Sequence, residues 1–572
     1  MNQGTEPNEE PGIRTVADLV VERLAAHTGH VFGVGGANIE DLYDALHRHP
    51  GVTGIVAKHE FGAATMADGY ARAAGRLGVV AATSGGGAMN LLAALAESFD
   101  SRVPVLALVG QPPTGLEGRG AFQDTSGAPG RIDAEQLFAQ VSRYCVKVRR
   151  PQDITVALDR AIAAALTGGP AILLLPKDIQ AAPAVEDEAS ATPESALTAG
   201  RSDDHRPLPD EVAALLAGMP RGGAAVVVAG PGIAAADARA ELLAAVRALD
   251  ATVLVTPDAK DAYPNSDPRF AGVVGVMGHP NAARLIAEAE LCLLAGAPLS
   301  LTARAGLDAA LAACPRVLSL GSEPPYVPVH AEARGPLAAA LREVASSIGG
   351  TPGAHLEPGS ADAQPDRLPL PELTVPPASG PGVRYRPAVA AIEAALEPGT
   401  DVVADAGNTG AAVVHHLGIP ADGRFLIALG MGGMGYSFGA GIGCALGRGR
   451  RSVVIAGDGA YFMHGHEVHT AVEYQVPVTF IVFNNNAHAM CVTREQVFYS
   501  GAYSFNRFRA AEIGAGVAAL FPELPVWTAR TLTEFENALD KTRAIPGPAF
   551  IELQCDPDEI PPFAPFLKEP FA

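Results

Sequence analysis

The sequence predicts an α/β protein with three doubly wound domains, each built on a parallel sheet. Short runs of Val, Ile and Leu alternate with Ala-rich helical patterns along the chain, as expected for buried parallel strands joined by crossover helices. With 572 residues the chain is too long for a single hydrophobic core. Two stretches rich in Pro, Gly and charge, at about 186–207 and 349–384, separate segments at 13–185, 208–348 and 385–560.

Each segment contains apolar runs of strand length. In the first segment these runs are 52–56, 78–82 and 104–109, with helices predicted at 60–74 and 88–99. In the second segment they are 224–229, 251–255 and 290–295. In the third they are 452–456, 478–483 and 549–553, with a helix predicted at 465–474. The repeated alternation is typical of crossover connections in all three domains.

The composition limits the classes of partner. The net charge of −21 argues against nucleic acid or an anionic membrane as the main partner. The first twelve residues lack the apolar segment of a secretion signal, and no apolar run reaches the roughly 20 residues that cross a bilayer. The six cysteines show no paired or zinc-like spacing, which is typical of reduced thiols. We therefore expect a cytoplasmic enzyme that acts on small molecules.

Two polar motifs follow neighbouring strands in the third segment. Gly457-Asp458-Gly459 ends one predicted strand, and Asn484-Asn485-Asn486 ends the next. In a right-handed βαβ unit both motifs reach the carboxyl edge of the sheet, where ligands bind. Glycines let phosphate oxygens approach the backbone, and Asp458 and Asn485 offer the oxygen ligands that Mg²⁺ prefers. For either motif alone a turn or a helix cap is the simpler interpretation, but strand, spacing and helix together favour a ligand site.

This spacing resembles the cofactor signature of the thiamine-diphosphate enzymes, in particular the group of acetolactate synthase, pyruvate oxidase and benzoylformate decarboxylase. The resemblance implies thiamine diphosphate and Mg²⁺ as cofactors, with Gly457 and Gly459 at the cofactor. It assigns the metal to Asp458, Asn485 and the main-chain oxygen of Ala487. The three predicted domains then correspond to a pyrimidine-binding, a central and a diphosphate-binding domain.

Three blocks of the first segment also resemble acetolactate synthase. Residues 58–90 match its pattern and place Glu60 at the catalytic glutamate, while 31–46 and 110–124 resemble an opening strand with its loop and helix and an active-site loop. A carboxyl group at the pyrimidine nitrogen promotes the imino tautomer through which this cofactor activates its own thiazolium carbon. An isolated Glu at a helix start is ordinarily a solvated first-turn acid, but the flanking blocks favour the catalytic role.

Within these blocks the resemblance implies further contacts to the reacting groups. Gly36, Ala37 and Asn38 would approach the reacting carbonyl, and Phe122 and Gln123 would lie near the thiazolium ring, where Gln123 would take part in catalysis. On the residues alone, a helix cap for Asn38 and a core position for Phe122 remain open.

The glycine-rich run 428–443 resembles the element that bends the cofactor in this family. Met434 would be the apolar wedge beneath the two rings, and the main chain of Gly432 would accept a hydrogen bond from the pyrimidine amine. A methionine in such a run is otherwise core filler, so these roles rest on the resemblance.

The chain departs from acetolactate synthase after the metal motif. Arg494 stands where the acceptor-selecting tryptophan would be, and the single tryptophan is Trp527. The resemblance places Met490 and His488 at the cofactor and Cys491 and Arg494 at the substrate. Arg494 could bind an acceptor carboxylate or phosphate, or form a surface ion pair. His488 could relay a proton to the new alkoxide, whereas Cys491 suits packing better than nucleophilic attack.

These features favour a carboligase that decarboxylates a 2-oxo acid, with pyruvate as the first expectation. The acyl group would then be joined to an aldehyde, a ketone or an activated acyl group. A non-oxidative 2-oxo acid decarboxylase is one alternative, although the first segment offers only His47 and His49 in place of the adjacent histidine pair of pyruvate decarboxylases. A catalytically silent binding or scaffold protein is another, and Glu60, Asp458 and Asn485 argue against it.

The second segment carries no catalytic motif. Its residues 297–304 replace the charged run with which acetolactate synthases help to hold FAD, so FAD is not expected. In the family the cofactor lies between the first domain of one subunit and the third domain of another. The resemblance therefore implies a homodimer or homotetramer with active sites between subunits.

Overall fold

The computed structural model describes residues 14–185, 207–219, 222–348 and 369–567. The predicted amino-terminal tail and most of both predicted linkers lie outside these ranges. Within them the chain forms three sheets of six strands, and every strand pair is parallel. This confirms the predicted α/β fold with three parallel sheets, while the predicted domain boundaries stay a prediction.

The first sheet has buried central strands covered by helices. Its strands are β1 (His30–Val34), β2 (Thr53–Val56), β3 (Gly78–Ala82), β4 (Val105–Gln111), β5 (Tyr144–Lys147) and β6 (Pro170–Pro176). The accompanying helices are α1 (Val16–Leu24), α2 (Glu40–Arg48), α3 (Glu60–Ala74), α4 (Gly86–Asp100), α5 (Ala134–Ala139), α6 (Ile154–Leu166) and α7 (Lys177–Gln180). The strand order is β2-β1-β3-β4-β6-β5.

The second sheet has the order of a dinucleotide-binding fold. Its strands are β7 (Ala225–Ala229), β8 (Thr252–Val255), β9 (Phe270–Val273), β10 (Leu291–Ala295), β11 (Val317–Gly321) and β12 (Ala331–Arg334). The accompanying helices are α8 (Asp210–Ala217), α9 (Gly232–Ala235), α10 (Arg239–Leu249), α11 (Asn281–Ala287), α12 (Leu301–Arg304), α13 (Asp308–Ala313) and α14 (Leu337–Ser347). The strand order is β12-β11-β10-β7-β8-β9.

The third sheet repeats the strand order of the first. Its strands are β13 (Asp401–Ala404), β14 (Phe425–Ile427), β15 (Ser452–Gly457), β16 (Val478–Asn484), β17 (Val526–Ala529) and β18 (Ala549–Gln554). The accompanying helices are α15 (Tyr385–Ala395), α16 (Asn408–His416), α17 (Tyr436–Arg448), α18 (Asp458–His464), α19 (Val468–Glu473), α20 (Ala489–Tyr499), α21 (Ile513–Leu520) and α22 (Leu532–Thr542). The order is β14-β13-β15-β16-β18-β17.

One predicted helix differs from the structure. The sequence pattern predicts a helix at 465–474, whereas α18 ends at His464, a 3₁₀ turn covers Gly465–Glu467 and α19 begins at Val468. The ring of Tyr461 packs against Gly465, where a Cβ would lie only 2.2 Å from the tyrosine Cδ2. This close approach accounts for the glycine at the point where one helix ends and the next turn begins.

The chain divides into two compact units. The first unit carries the first sheet, and the second unit carries the second and third sheets. Within the second unit, buried residues of both sheets belong to one continuous hydrophobic core. All six cysteines carry free thiols. In the described part of the chain, no helix combines the length and the apolarity that crossing a membrane requires.

Candidate active site

The third sheet changes direction between β13 and β15. The chain runs from β13 to β14 on one side and then crosses to β15 on the other, so loops on the two sides diverge at this point. Such a switch point leaves a crevice at the carboxyl ends of the strands, where ligands bind in open α/β sheets. The polar residues that follow β13, β15 and β16 all arrive at this edge.

Asp458 and Asn485 meet at one backbone N–H group. The N–H of Ala487 donates to Asp458 Oδ2 and to Asn485 Oδ1, each at a distance of 3.1 Å. The Asn485 amide nitrogen donates to the Tyr385 hydroxyl at 3.3 Å, which fixes the amide so that its oxygen faces Ala487. The structure therefore brings together the three residues that the resemblance assigns to the metal.

The Asp458 carboxyl group is almost completely buried, at 1 % exposure. Burial raises its pKa to about 7, against the lowering effect of the N–H groups of Ala487 and Gly459. A dication beside the carboxylate would favour the ionised form. The available donors are a carboxylate, an amide oxygen and a main-chain carbonyl, which is the oxygen chemistry that Mg²⁺ selects.

A cation bound by Asp458 would also need oxygen ligands that do not come from carboxylate side chains. Among the residues that the structure describes, no three His, Cys, Asp or Glu side chains converge as a complete metal cage. Phosphate oxygens of a bound cofactor would complete the oxygen shell. The residues present therefore fit a magnesium ion held jointly by protein and diphosphate.

The first turn of α16 forms another side of this crevice. Asp405 follows β13, and Gly407 adopts a φ of 97° before the helix begins at Asn408. The Thr409 hydroxyl lies 3.7 Å from the position of a Cβ on Gly457, so this turn faces the Gly457-Asp458 turn. Asn408 is buried, and its Oδ1 has no hydrogen-bond partner within the described residues. The N–H groups of the first helical turn could donate to phosphate oxygens, and the Asn408 oxygen could accept from a water molecule bound to the metal.

The glycine-rich run before α17 is held by Asp405. Its buried carboxylate accepts from the N–H groups of Gly435 and Ser437, both at 2.9 Å. Burial raises the pKa of Asp405 above its ordinary value. Gly432 is exposed and Met434 is half-buried next to this anchored turn. The run is thus fixed at the same switch point, and Met434 is not part of the closed core.

Met434 and His488 converge on Gly459. A Cβ on Gly459 would lie 2.5 Å from His488 Cδ2 and 3.1 Å from Met434 Cε. The His488 N–H donates to the Asn506 carbonyl at 2.9 Å, and its ring packs edge-on against Phe508 at 4.7 Å between centroids. The imidazole of His488 is therefore held close to the Asp458 turn.

The remaining predicted residues of α20 differ in exposure. Met490 packs against the core of the second unit, and Cys491 is half-buried. Arg494 is exposed on the same helix. Its exposure leaves both the anion-binding and the surface ion-pair interpretations open.

Glu60 begins α3 in the first unit. Its carboxylate accepts a hydrogen bond from the Asn90 amide at 2.9 Å, and its Oε1 lies 2.9 Å from the position of a Cβ on Gly87. The first turn of α4 therefore approaches Glu60 closely because it carries glycine there. Glu60 is half-buried, so it differs from a freely solvated first-turn acid.

Asn38 and Gln123 meet the same strand end. The Asn38 amide donates to Ser84 Oγ at 2.7 Å, and its main-chain N–H donates to Thr83 Oγ1 at 3.3 Å. Gln123 Oε1 accepts from Thr83 at 3.3 Å, and the backbone of Gln123 has a φ of 57°. Left-handed backbone at a non-glycine residue is concentrated at functional sites. Asn38 does not cap α2, whose N-cap residue is Ile39, which contradicts the helix-cap alternative.

The loop after β1 is held by contacts with Thr83 and Lys177. Gly36 packs closely on Thr83, since a Cβ added to the glycine would lie only 2.6 Å from the Thr83 Cβ. Lys177 Nζ donates to the Ala37 carbonyl at 2.9 Å. Ala37 itself is exposed. Phe122 is 74 % exposed, so the core alternative for this ring is wrong.

Three models of the thiamine pyrophosphate enzymes match this chain. The N-terminal TPP binding domain matches residues 14–129, the central domain 210–347 and the C-terminal TPP binding domain 405–553. The chain belongs to the thiamine pyrophosphate enzymes. This confirms the family that the sequence motifs predict, and makes the protein a thiamine-diphosphate-dependent enzyme.

Similar proteins within the thiamine pyrophosphate enzymes carry related names. The probable acetolactate synthase large subunit of Methanocaldococcus jannaschii is 27 % identical, over 96 % of this chain and 93 % of its own. The acetolactate synthase isozyme 1 large subunit of Escherichia coli is 27 % identical, over 93 % of each chain. The thiamine diphosphate-dependent 4-hydroxybenzoylformate decarboxylase of Rhodococcus jostii RHA1 has the same fold, with a TM-score of 0.74, 19 % identity and coverage of 95 % of this chain and 99 % of that chain.

Several polar residues at the switch points were missed in the sequence motifs. Asp405 and Asn408 follow β13 in the run Asp-Ala-Gly-Asn, which like Gly457-Asp458-Gly459 places a carboxylate and a glycine directly after a buried strand. Asn90, Thr83 and Ser84 lie within or beside predicted helices and strands, where nothing in the pattern separates them from structural residues. The repeated strand-to-glycine transition is the signal that could have identified Asp405.

Proposed function

We propose that this thiamine pyrophosphate enzyme is a magnesium-dependent carboligase of the acetolactate synthase type. It would decarboxylate a 2-oxo acid, with pyruvate as the first candidate, and join the acyl group to a second carbonyl or an activated acyl group. The observation that carries this proposal is the meeting of Asp458 and Asn485 at the Ala487 N–H. The names of the full-length relatives support the carboligation.

The residues of the switch point in the third sheet would hold the diphosphate and its metal. Asp458, Asn485 and the Ala487 carbonyl would bind Mg²⁺, and the glycines at 457 and 459 would let the diphosphate approach. The first-turn N–H groups of α16 would donate to the phosphate oxygens. Met434 would support the rings, and the main-chain carbonyl of Gly432 would accept a hydrogen bond from the pyrimidine amine.

When bound, thiamine diphosphate supplies the electron sink that lets a 2-oxo acid lose CO₂ and lets its acyl carbon act as a nucleophile. The protein contributes proton placement and orientation. Glu60 would hold a proton at the pyrimidine nitrogen, and the Asn90 amide fixes the carboxylate for that contact. His488 would give or take the proton of the alkoxide that forms when a carbonyl acceptor is attacked.

Gln123 and Asn38 would orient the donor. Both are tied to the end of β3 through Thr83 and Ser84, so their positions are fixed before substrate binds. Such preorganisation lowers the entropic cost of aligning the reacting groups. Arg494 and Cys491 on α20 would contribute to acceptor choice.

An assay of products separates carboligation from simple decarboxylation. Purified enzyme with thiamine diphosphate and Mg²⁺ would be given pyruvate alone and with a panel of aldehydes, ketones and acyl thioesters, and the products identified by mass. We expect coupled products that require the acceptor. Release of free aldehyde alone across the whole panel would establish the non-oxidative decarboxylase instead.

We further propose a cytoplasmic homodimer or homotetramer whose active sites are completed by two subunits. The support is the family resemblance, since a cofactor gripped by the first domain of one subunit and the third domain of another requires two copies. Light scattering coupled to size-exclusion chromatography would give the mass in solution. A monomeric mass at activity-assay concentration would contradict this proposal.

A further inference from the structure

Helix α16 connects the candidate diphosphate site to the domain of the second sheet. Its first turn lies at the switch point of the third sheet, against the Gly457-Asp458 turn. Its last turn is held by residues that follow β8 and β9 in the second sheet. Every residue of the helix from Asn408 to His415 is buried. Both ends of this buried helix are therefore held by packed residues of the second unit.

A buried lysine binds the carboxyl end of α16. Lys260 is 2 % exposed, and its ammonium donates to the Val414 carbonyl at 2.5 Å. The last carbonyls of a helix lack intrahelical partners and carry the negative end of its dipole. Lys260 thus satisfies an otherwise orphaned acceptor with a positive charge.

Two neighbours anchor the same end without adding charge. Asn265 accepts from the Ile419 N–H at 3.0 Å, just beyond the helix, and donates to the Lys260 carbonyl at 2.8 Å. His415 donates from Nδ1 to the Met277 carbonyl at 3.0 Å, since its Nε2 accepts from the Leu373 N–H. These contacts fix both the axial position and the rotation of the last turn.

The amino end of α16 is fixed just as closely. A Cβ on Gly410 would lie 2.1 Å from the Asp405 carbonyl, so this turn sits directly on the end of β13. Asn408 donates to the Glu559 carbonyl at 3.4 Å while its Oδ1 stays without a hydrogen-bond partner in the described part of the chain. The helix therefore presents its free N–H groups and one buried acceptor toward the crevice in a set position.

We propose that Lys260 is a positioning residue for the diphosphate of the cofactor, acting through α16. This inference rests on the proposed function of the crevice. The lysine charge neutralises the negative carboxyl end of the helix dipole. The electrostatic attraction between the positive amino end and the anionic ligand is therefore stronger. A domain without a catalytic motif would thereby set the affinity of the enzyme for its cofactor.

The test compares the dissociation constants of magnesium–thiamine diphosphate and magnesium–pyrophosphate in the full-length enzyme, measured by calorimetry. In Lys260→Met we expect both constants to rise about tenfold, because a positive charge about one helix length from the anionic ligand is lost from a low-dielectric interior. Lys260→Arg keeps the charge and should stay within about threefold of the wild type. The turnover number at saturating cofactor should be similar in all three, because Lys260 is remote from the reacting groups.

Asn265→Ala is the matched control, since it removes an anchor of the same helix end without removing a charge. It should weaken both ligands less than Lys260→Met does. The proposal is overturned if Lys260→Met binds both ligands like the wild type, or if Asn265→Ala weakens them equally. If Lys260→Met does not fold, Lys260→Gln against Lys260→Arg makes the same comparison. Wild-type protein that binds neither ligand would instead refute the proposed function.

Discussion

The Asn90 amide, in the second turn of α4, donates a hydrogen bond to the carboxylate of Glu60, the first residue of α3. Replacing Glu60 by Gln keeps the size and the hydrogen-bonding reach of the side chain but removes the acid. We expect Glu60→Gln to bind thiamine diphosphate within about threefold of the wild type and to lose at least about a hundredfold in turnover, the usual size of general acid–base effects.

Glu40→Gln provides the matched control for this change. Glu40 also stands in the first turn of a helix, but its carboxylate is exposed and pairs with Lys177. Turnover of pyruvate and calorimetric cofactor binding would be measured for both variants. Equal activity of Glu60→Gln and the wild type would remove Glu60 from the catalytic role.

Gly459 is the point where His488 and Met434 come closest to the Asp458 turn. A methyl group there would collide with the His488 ring, at 2.5 Å from its Cδ2. We expect Gly459→Ala to displace His488 and to weaken binding of the magnesium–cofactor complex at least about tenfold, since a small misplacement at a binding site is costly.

Gly516→Ala is the corresponding control in another helix. Gly516 lies in α21, and apart from its own helix backbone and chain neighbours no described atom lies within 4 Å of the position of its Cβ. Alanine there should leave cofactor binding unchanged and raise the midpoint of thermal unfolding slightly, because alanine favours helix over glycine. An unaltered dissociation constant in Gly459→Ala would show that His488 is not held by this contact.

The sequence allowed Asp458, Asn485 and Glu60 to be predicted because each stands in a motif whose glycines or spacing are unusual. Asp405 and Asn408 were missed although they lie at the same edge. Their roles depend on which strand is the neighbour of β15, and strand order in a parallel sheet is set by crossovers that a local pattern does not reveal. The exposure of Phe122 likewise depends on packing beyond its own loop.

At the scale of elements, the carboxyl end of α16 contains a buried histidine whose pKa depends on its packing. His415 in its last turn stacks on His279 at 4.7 Å between ring centroids. Burial lowers the pKa of His415 to about 4, although a hydrogen bond to the Met277 carbonyl opposes the shift. The neutral imidazole is the form that accepts from the Leu373 N–H.

A lowered pKa in the folded state has a definite sign in the pH dependence of stability. The contribution of neutral His415 is fully present above its unfolded pKa of 6.5 and is lost as the pH falls from 6.5 towards about 4. From pH 7 to pH 5, this one residue should cost the wild type about 2 kcal/mol of unfolding free energy.

His415→Asn removes the titrating group from the same position. Its unfolding free energy should therefore change less between pH 7 and pH 5 than that of the wild type. Denaturant unfolding followed by the fluorescence of Trp527, which lies in β17 of the same unit, would measure the difference. Identical pH slopes in the two proteins would show that His415 does not carry this linkage.

Helix bounds illustrate what local pattern does and does not decide. The predicted helix at 60–74 coincides with α3, because its glutamate start and apolar face are local features. The predicted helix at 465–474 is interrupted by a 3₁₀ turn at Gly465, where the Tyr461 ring takes the space of a side chain. That interruption comes from a packing contact and could not be predicted from periodicity.

At the scale of the whole molecule, shared active sites would make two inactive variants complement each other. Glu60→Gln and Asp458→Asn would each be inactive alone for different reasons. After subunit exchange, a mixed dimer would contain one site with both changes and one with neither. We expect recovery of about one quarter of wild-type activity from an equal mixture, since half of the dimers would carry one intact site out of two.

Each variant taken through the same exchange with itself is the control and should stay inactive. Activity would be assayed with pyruvate and an acceptor after dilution and reconcentration of the mixture. A mixture as inactive as its components, although mass measurement shows mixed dimers, would mean that each subunit completes its own site.

The first and third sheets share one strand order, so the chain presents the same edge of one scaffold twice. At this edge the first sheet carries the hydrogen-bonded pair Glu60 and Asn90, and the third carries Asp458 and Asn485 around the Ala487 N–H. Two such different edges would suit the two ends of an asymmetric ligand that has an aromatic head and a charged tail. Glu60 follows the second strand of the first sheet, whereas Asp458 follows the third strand of the third sheet, so the two carboxylates stand at neighbouring and not at equivalent positions of the shared topology.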